Sequence, residues 1–243
     1  MIDLHCHIIP GIDDGAGNLE DAVEMARTAW ENGTRIVAAT SHGDFSRVDP
    51  EEYTAYYIKK LAALRKVLKE KGIPLKVAGG MELLVNEELL RYAEHHPLPS
   101  LNGGGYILVE FRFDISAALA EKSLERLRHL GWKPVLAHPE RYDFLRRDPA
   151  RARSFFRSGV VLQVNKGSLS GQFGRLASRA ADQMLREGIA GAVASDAHDP
   201  FLRTIDLDDT AAVLDLHYGS NASRILLQRN PLRILKSSPP PHL

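Results

Sequence analysis

The chain has 243 residues, with 31 Lys and Arg balanced by 31 Asp and Glu, so its formal net charge is zero and gives no electrostatic reason to expect nucleic acid or an anionic membrane surface as a partner. With 44% hydrophobic and 26% charged residues it has the make-up of a folded globular protein, which excludes wholesale disorder. The single cysteine, Cys6, excludes an internal disulfide framework and any multi-cysteine metal site; no secretion signal opens the chain and no run reaches the roughly 20 apolar residues of a membrane helix, so a cytoplasmic protein is expected.

The elements alternate. Residues 2–4 read as a first buried strand, and a helix over 18–31 opens on Asn18 and stops before Gly33. A strand over 35–39 precedes a helix over 50–71 that ends at Gly72. Strand 75–78 is followed by helix 86–95, strand 106–109 by helix 116–130, and strand 133–137 by helix 149–158. Strand 160–164 leads to helix 175–187, and strand 191–194 to helix 206–216. Short apolar runs bounded by Gly, Pro or polar residues, separated by helical spacing, predict an α/β fold with a parallel sheet, either a barrel or a doubly wound sheet. No linker interrupts the series. One domain over 1–236 is expected, with the Pro-rich 237–243 as a loose tail.

In such folds ligands sit at the carboxyl ends of the strands. The residues following each predicted strand are polar. His5 and His7 come after the first, then Asp13 and Asp14. His42, Glu82 and Glu110 follow the second, third and fourth. His138, Glu140 and Arg141 follow the fifth, Gln163 and Asn165 close the sixth, and Asp196 and His198 follow the seventh. Imidazole and carboxylate together suit Zn, Mn or Fe, and the lack of thiolates argues against a purely structural zinc site. His5 and His7 are two apart on an extended segment, so their rings share a face and can grip one ion, while Cys6 points to the opposite side as a small core residue. Carboxylates such as Glu82 and Glu110 can bridge, which favours a cluster of two or three ions, the usual arrangement for phosphoester hydrolysis. Arg141 has the planar fork that matches phosphate oxygens; its alternative is a surface salt bridge. His95, His96, His129, His217 and His242 read as surface or capping residues.

The segments HCHIIPGIDDG at 5–15, TSH at 40–42, GMEL at 80–83, LVEF at 108–111, AHPERY at 137–142, QVNKGSLSGQFG at 163–174 and SDAH at 195–198 resemble the polymerase-and-histidinol-phosphatase (PHP) superfamily. The resemblance is closest to its bacterial metal-dependent tyrosine-protein phosphatases of capsule and exopolysaccharide synthesis, and it spans nearly the whole chain. It implies a distorted (β/α)7, TIM-like barrel. It implies two to three divalent ions, manganese first with Fe, Co or Zn accepted, on His5, His7, Asp14, His42, Glu82, Glu110, His138, Asp196 and His198. Asp13 competes with Asp14 as the ligand. Arg141 is implied as the catalytic phosphate-binding residue, with a metal-bound hydroxide attacking phosphotyrosine on a protein such as a bacterial tyrosine kinase. Gly43, where relatives usually carry a basic residue or histidine, and Lys166, where a small residue is usual, depart from the pattern and are expected to border the cleft. The alternatives are a small-molecule phosphatase such as histidinol phosphate phosphatase, a lysine-bridged amidohydrolase, and a non-catalytic metal-binding PHP module. A cysteine-dependent phosphatase is excluded, because Ile12 stands where the C-x5-R loop needs arginine.

Overall fold

The computed structural model describes residues 1–239. β1 (Ile2–Cys6) is followed by α1 (Leu19–Glu31), then by β2 (Ile36–Ala39) and β3 (His42–Gly43), α2 (Pro50–Glu70), β4 (Lys76–Gly79), β5 (Glu82–Leu84) and α3 (Glu87–Ala93). β6 (Tyr106–Glu110), α4 (Ala117–His129) and β7 (Lys133–Ala137) come next. The short α5 (Asp143–Arg147) and α6 (Ala152–Arg157) lead to β8 (Val161–Asn165). α7 (Lys166–Leu169), α8 (Arg175–Arg186), β9 (Ala190–Ala194), α9 (Asp208–Tyr218), α10 (Ala222–Arg224) and α11 (Asn230–Leu235) complete the order. Helix starts follow local chemistry. Asn18, Asp49, Asn86 and Ser116 each accept a first-turn amide with the side chain, and Pro50 sits where an amide has no partner anyway.

All strand pairs are parallel, in two sheets ordered β1-β2-β4 and β3-β5-β6-β7-β8-β9. The second and third strand positions are therefore each built from two pieces: β2 and β4, at the predicted strands 35–39 and 75–78, lie in the first sheet, and β3 and β5, just beyond those bounds, lie in the second. Tyr57 of α2 covers the break: its hydroxyl donates to the Ala39 carbonyl at 2.7 Å and accepts the Gly80 amide at 2.9 Å. β9 returns to β1 through a parallel bridge between Cys6 and Ala197, and the His7 amide donates to the Ala197 carbonyl at 2.8 Å. Asp3 reinforces this join by accepting the Ser195 amide and hydroxyl. Seven strand positions thus form a distorted, TIM-like ring.

The ring has an apolar interior. Ile2, Leu4, Ala38, Ala78, Leu108, Val135 and Ala192 form one buried cluster, with Leu101, Ile234 and Leu235 packed into it. A larger cluster, including Cys6, Val37, Val77, Val109 and Leu136, lies between the strands and the helices. Simple alternation would put Cys6 on the same side as Ile2 and Leu4. A register shift between Asp3 and Cys6 reverses the phase, so Cys6 faces the helices and His5 and His7 turn into the ring. Of the expected tail, residues 240–243 lie outside the described residues. Ser237 to Pro239 fold back on the ring: the Ser237 hydroxyl accepts the Gly105 amide at 2.8 Å, and Arg233 donates to the Pro239 carbonyl at 2.6 Å.

Candidate metal centre

The residues at the carboxyl ends of the strands converge. Three groups of side chains each place one ligand atom apiece within 4.8 Å of one another: His5, His7, Glu82 and Asp196; His7, Asp14, His42 and His198; and His42, Glu82 and Glu110. His7, His42 and Glu82 each belong to two groups, so the groups form one continuous cage. The two ring nitrogens of His42 face different neighbours, Nε2 toward Asp14 at 3.3 Å and Nδ1 toward Glu110 at 3.0 Å. Of the nine sequence-predicted ligands, eight fall in these groups. His138 stands at their edge, with Nε2 2.8 Å from Glu82 Oε1 and 3.8 Å from Glu110 Oε2.

The donor chemistry fits cations. His5 Nδ1 donates to Gln163 Oε1 at 2.8 Å, and the Gln163 amide nitrogen donates to the Val164 carbonyl, which fixes the orientation of the amide. His7 Nδ1 donates to Asp13 Oδ2, also at 2.8 Å. With both Nδ1 protons committed, the two Nε2 lone pairs face each other at 3.2 Å. Glu82 Oε2 lies 3.1 Å and 3.3 Å from them, is fully buried and has no hydrogen-bond partner among the described residues. A cation would satisfy acceptors that converge in this way, and the Asp13–His7 and Gln163–His5 contacts are of the kind that orients an imidazole toward a metal. The inner group is sealed, whereas Asp14 is 66% exposed, so the cage opens to solvent on the Asp14, His42 and His198 side.

Electrostatics agree. Burial disfavours the charged form of His42, but hydrogen bonds to Asp14 and Glu110 and the charge of Glu82 raise its pKa to about 10. Burial and the neighbouring His7 push His198 down to about 4, against the pull of Asp196. Asp14 is held below the usual carboxylate range, chiefly by its hydrogen bond to His42. Without metal the carboxylates keep protons on part of the cage, and ion binding must displace them.

Backbone conformation is spent on the same residues. His138 and Asp196 are left-handed, with φ of 35° and 52°, an uncommon state for non-glycine residues that tends to cluster at functional sites. The DDG segment has a steric cause. A Cβ on Gly15 would lie 2.1 Å from the His7 carbonyl oxygen and 2.4 Å from His7 Cβ, so only glycine lets this loop close over His7. The loop also separates the two aspartates. Asp14 joins the cage, while Asp13 stays behind His7 and accepts the amides of Gly15 and His42.

Arg141 reaches the rim. Its Nη1 donates to Asp196 Oδ2 at 3.3 Å, and its guanidinium lies between two rings, 4.5 Å from the Phe113 centroid and 4.3 Å from that of Phe173. Asp196 Oδ2 also accepts from Arg203 at 2.5 Å and from Asn165 at 2.6 Å. Phe113, Phe173 and Arg203 receive no role from strand-end position alone, and Asp13, a candidate ligand by position, orients His7 instead. Only the "QFG" and "FLR" segments, close to the predicted site motifs, hint at Phe173 and Arg203. Gly43 corrects an expectation: it is buried, and a Cβ there would meet Leu83 Cδ2 at 2.9 Å, so it faces the packed core and not the cleft. Lys166 donates to Thr204 Oγ1 at 3.0 Å and to the Asp206 carbonyl, which commits its ammonium outside the cage and removes the lysine-bridge alternative.

Fold and site together define a parallel α/β ring with a candidate polynuclear metal centre at the carboxyl ends of its strands. The chain belongs to the CpsB/CapC family of capsular polysaccharide synthesis, which matches residues 1–236. It is 36% identical over 233 residues to the tyrosine-protein phosphatase YwqE of Bacillus subtilis, covering 96% of this chain and 91% of that one. It is 29% identical to the tyrosine-protein phosphatase CpsB of Streptococcus pneumoniae, covering 97% and 98%. A solved chain from the work on YwqE of Bacillus subtilis and CpsB of Streptococcus pneumoniae, described there as unique metal-dependent tyrosine phosphatases, superposes with a TM-score of 0.90 at 33% identity, covering 100% of this chain and 97% of that one.

Proposed function

We propose that this chain is a metal-dependent protein-tyrosine phosphatase, with residues 1–236 as one catalytic domain. The observation that carries the reading is the buried convergence of His5, His7, Glu82 and Asp196, with an arginine set between two aromatic rings at its rim. The likeness to YwqE and CpsB supports the phosphotyrosine class. His5, His7, Asp14, His42, Glu82, Glu110, His138, Asp196 and His198 would hold two or three divalent ions, manganese first among Mn, Fe, Co and Zn. Such ions, when bound, neutralise phosphate charge and lower the pKa of water for in-line attack.

The chain's own residues do the rest. Arg141 presents its fork to the equatorial phosphate oxygens, and its two flanking rings fix the plane of that fork. Arg203, on the same Asp196 oxygen, adds a second guanidinium to the rim. Phe113, which is 41% exposed, offers a ring edge to the substrate phenyl group. A phenolate with pKa about 10 leaves without a strong general acid. The open Asp14 side suits a residue carried on a protein, and the physiological substrate is assigned to a bacterial tyrosine kinase in the cytoplasm. Among the described residues no helix is long and apolar enough to cross a membrane.

The test compares hydrolysis of a phosphotyrosine peptide and histidinol phosphate by metal-stripped protein with and without Mn²⁺. Faster Mn²⁺-dependent release from the peptide is expected. Preference for histidinol phosphate would move the chain to small-molecule chemistry, and silence on both with metal bound would favour a non-catalytic module. Arg141→Ala should lower turnover by roughly 10²-fold, the scale of losing one preorganised charge-stabilising donor, while metal content stays unchanged; unchanged turnover would remove Arg141 from the mechanism.

A further inference from the structure

Beside the site lies a second concavity, outside the cage and unused by the chemistry above. A groove of about 770 Å³ runs between α8 and α9. Arg175 and Arg179 line one wall, and His217 and Tyr218 line the other. Arg175 and Arg179 are exposed, lie one helical turn apart on one face of α8, and make no hydrogen bond or ion pair among the described residues. The groove's one acidic side chain cannot neutralise them. Asp182 Oδ2 accepts from Arg186 at 2.9 Å and Oδ1 accepts from the Tyr218 hydroxyl at 2.9 Å, so both oxygens are committed. Two guanidinium groups therefore face an open channel without counter-charge, in a chain whose overall charge is zero.

The channel is joined to the rim of the site. Gly171 and Gly174 line it, and between them Phe173 stacks on Arg141. One side of this short loop thus holds the phosphate-binding arginine and the other opens onto Arg175. An extended peptide advances about 3.3 Å per residue, so a chain that delivers its phosphotyrosine beside Arg141 and passes over Phe173 enters the groove within a few residues. Along that path the counter-charge the groove lacks would come from the peptide.

We propose that the α8–α9 groove is the subsite for acidic residues flanking the scissile phosphotyrosine, with Arg175 and Arg179 as the specificity-determining contacts. The inference rests on the phosphatase reading above and narrows its substrates to phosphotyrosine segments rich in Asp or Glu.

The experiment uses the full-length Mn²⁺-loaded protein and its Arg175→Ala/Arg179→Ala double variant. Substrates are p-nitrophenyl phosphate and phosphotyrosine peptides whose flanks carry Asp and Glu or the neutral Asn and Gln, on either side of the tyrosine. Wild type should prefer an acidic-flank peptide by about 3- to 10-fold in kcat/KM, mainly through KM, the scale of two exposed charge contacts. The double variant should bring the peptides to parity with p-nitrophenyl phosphate turnover unchanged, and roughly 0.5 M NaCl should erase the wild-type preference. Equal use of all peptides by wild type, or a preference that survives in the double variant, overturns the proposal. A second arm measures binding of the unphosphorylated acidic peptide to metal-stripped protein by fluorescence anisotropy. Tighter binding to wild type than to the double variant supports the subsite, and equal binding counts against it. Loss of all Mn²⁺-dependent hydrolysis would instead fail the phosphatase reading, and the binding arm would still decide the groove.

Discussion

The same ring of strands ends in two opposite environments. At the amino ends, Ile2, Leu4, Ala38, Ala78 and Leu108 close on one another, with Ile234, Leu235 and Leu101 packed beneath them. At the carboxyl ends, a few residues further along, five imidazoles and four carboxylates crowd together with acceptors facing acceptors. The lower layer stabilises, since each fully buried large aliphatic chain is worth roughly 1.5–3 kcal/mol. The upper layer holds buried charge that costs stability unless a cation offsets it. The ring thus keeps its apolar packing away from the mouth, where side chains can be chosen for chemistry. In β1 the change from one role to the other takes a single step, from Leu4 to His5 across the register shift.

Substitutions in the two layers should therefore fail differently. The largest effect is expected at Glu82, which faces four histidines and belongs to two of the three groups. Glu82→Gln should lower bound metal per chain and cut activity by well over 10²-fold, beyond the roughly 10–100-fold typical of losing an outer hydrogen bond to a ligand. Full metal content by elemental analysis would break the shared-ligand assignment. Gln163→Ala and Asp13→Ala remove those outer hydrogen bonds from His5 and His7 and should cost about 10–100-fold in metal affinity or activity. The Asp13→Ala loss should narrow as pH falls, because the Asp13 contact raises the His7 pKa and without it His7 holds its competing proton less tightly. A titration of Mn²⁺ activation at two pH values checks both points.

In the lower layer, Ile234→Ala should destabilise the fold by about 2–5 kcal/mol. For a chain of this size that lowers Tm by roughly 2–4 °C per kcal/mol, while kcat of the folded protein stays within about twofold. Calorimetry with parallel kinetics tests this, and a large kcat loss at unchanged Tm would show that the two layers are not separable. The smallest effect is expected at Cys6, which lies between two cage histidines but packs toward the helices. Cys6→Ser should cost some stability and leave appreciable activity. Loss of activity with metal still bound would revive a thiol mechanism.

The alternation of elements was legible because apolar runs and helical spacing are local properties, and parallel α/β topology then fixes which strand ends meet. The split of two strand positions was not legible, since residues 40–41 and 80–81 look like ordinary strand continuations and their break depends on Tyr57 from α2. Gly43 misled for a related reason: it follows a cage histidine in sequence, yet alternation turns it into the core beside Leu83. Residues 143–147 and 222–235 read as no element of their own, being short helices held by packing.

Local residue chemistry determined that this chain carries a parallel α/β fold with imidazoles and carboxylates after its strands, because strand period and side-chain type are written residue by residue. Tertiary structure alone decided how these groups are used. It placed Asp14 in the cage and Asp13 behind His7, because Gly15 lets the loop pack against the His7 backbone. It also set Arg141 between Phe113 and Phe173, and Arg203 on Asp196. Those partners are 28, 32 and 7 residues apart in the chain, and contacts at such separations depend on how the ring closes and not on any local pattern.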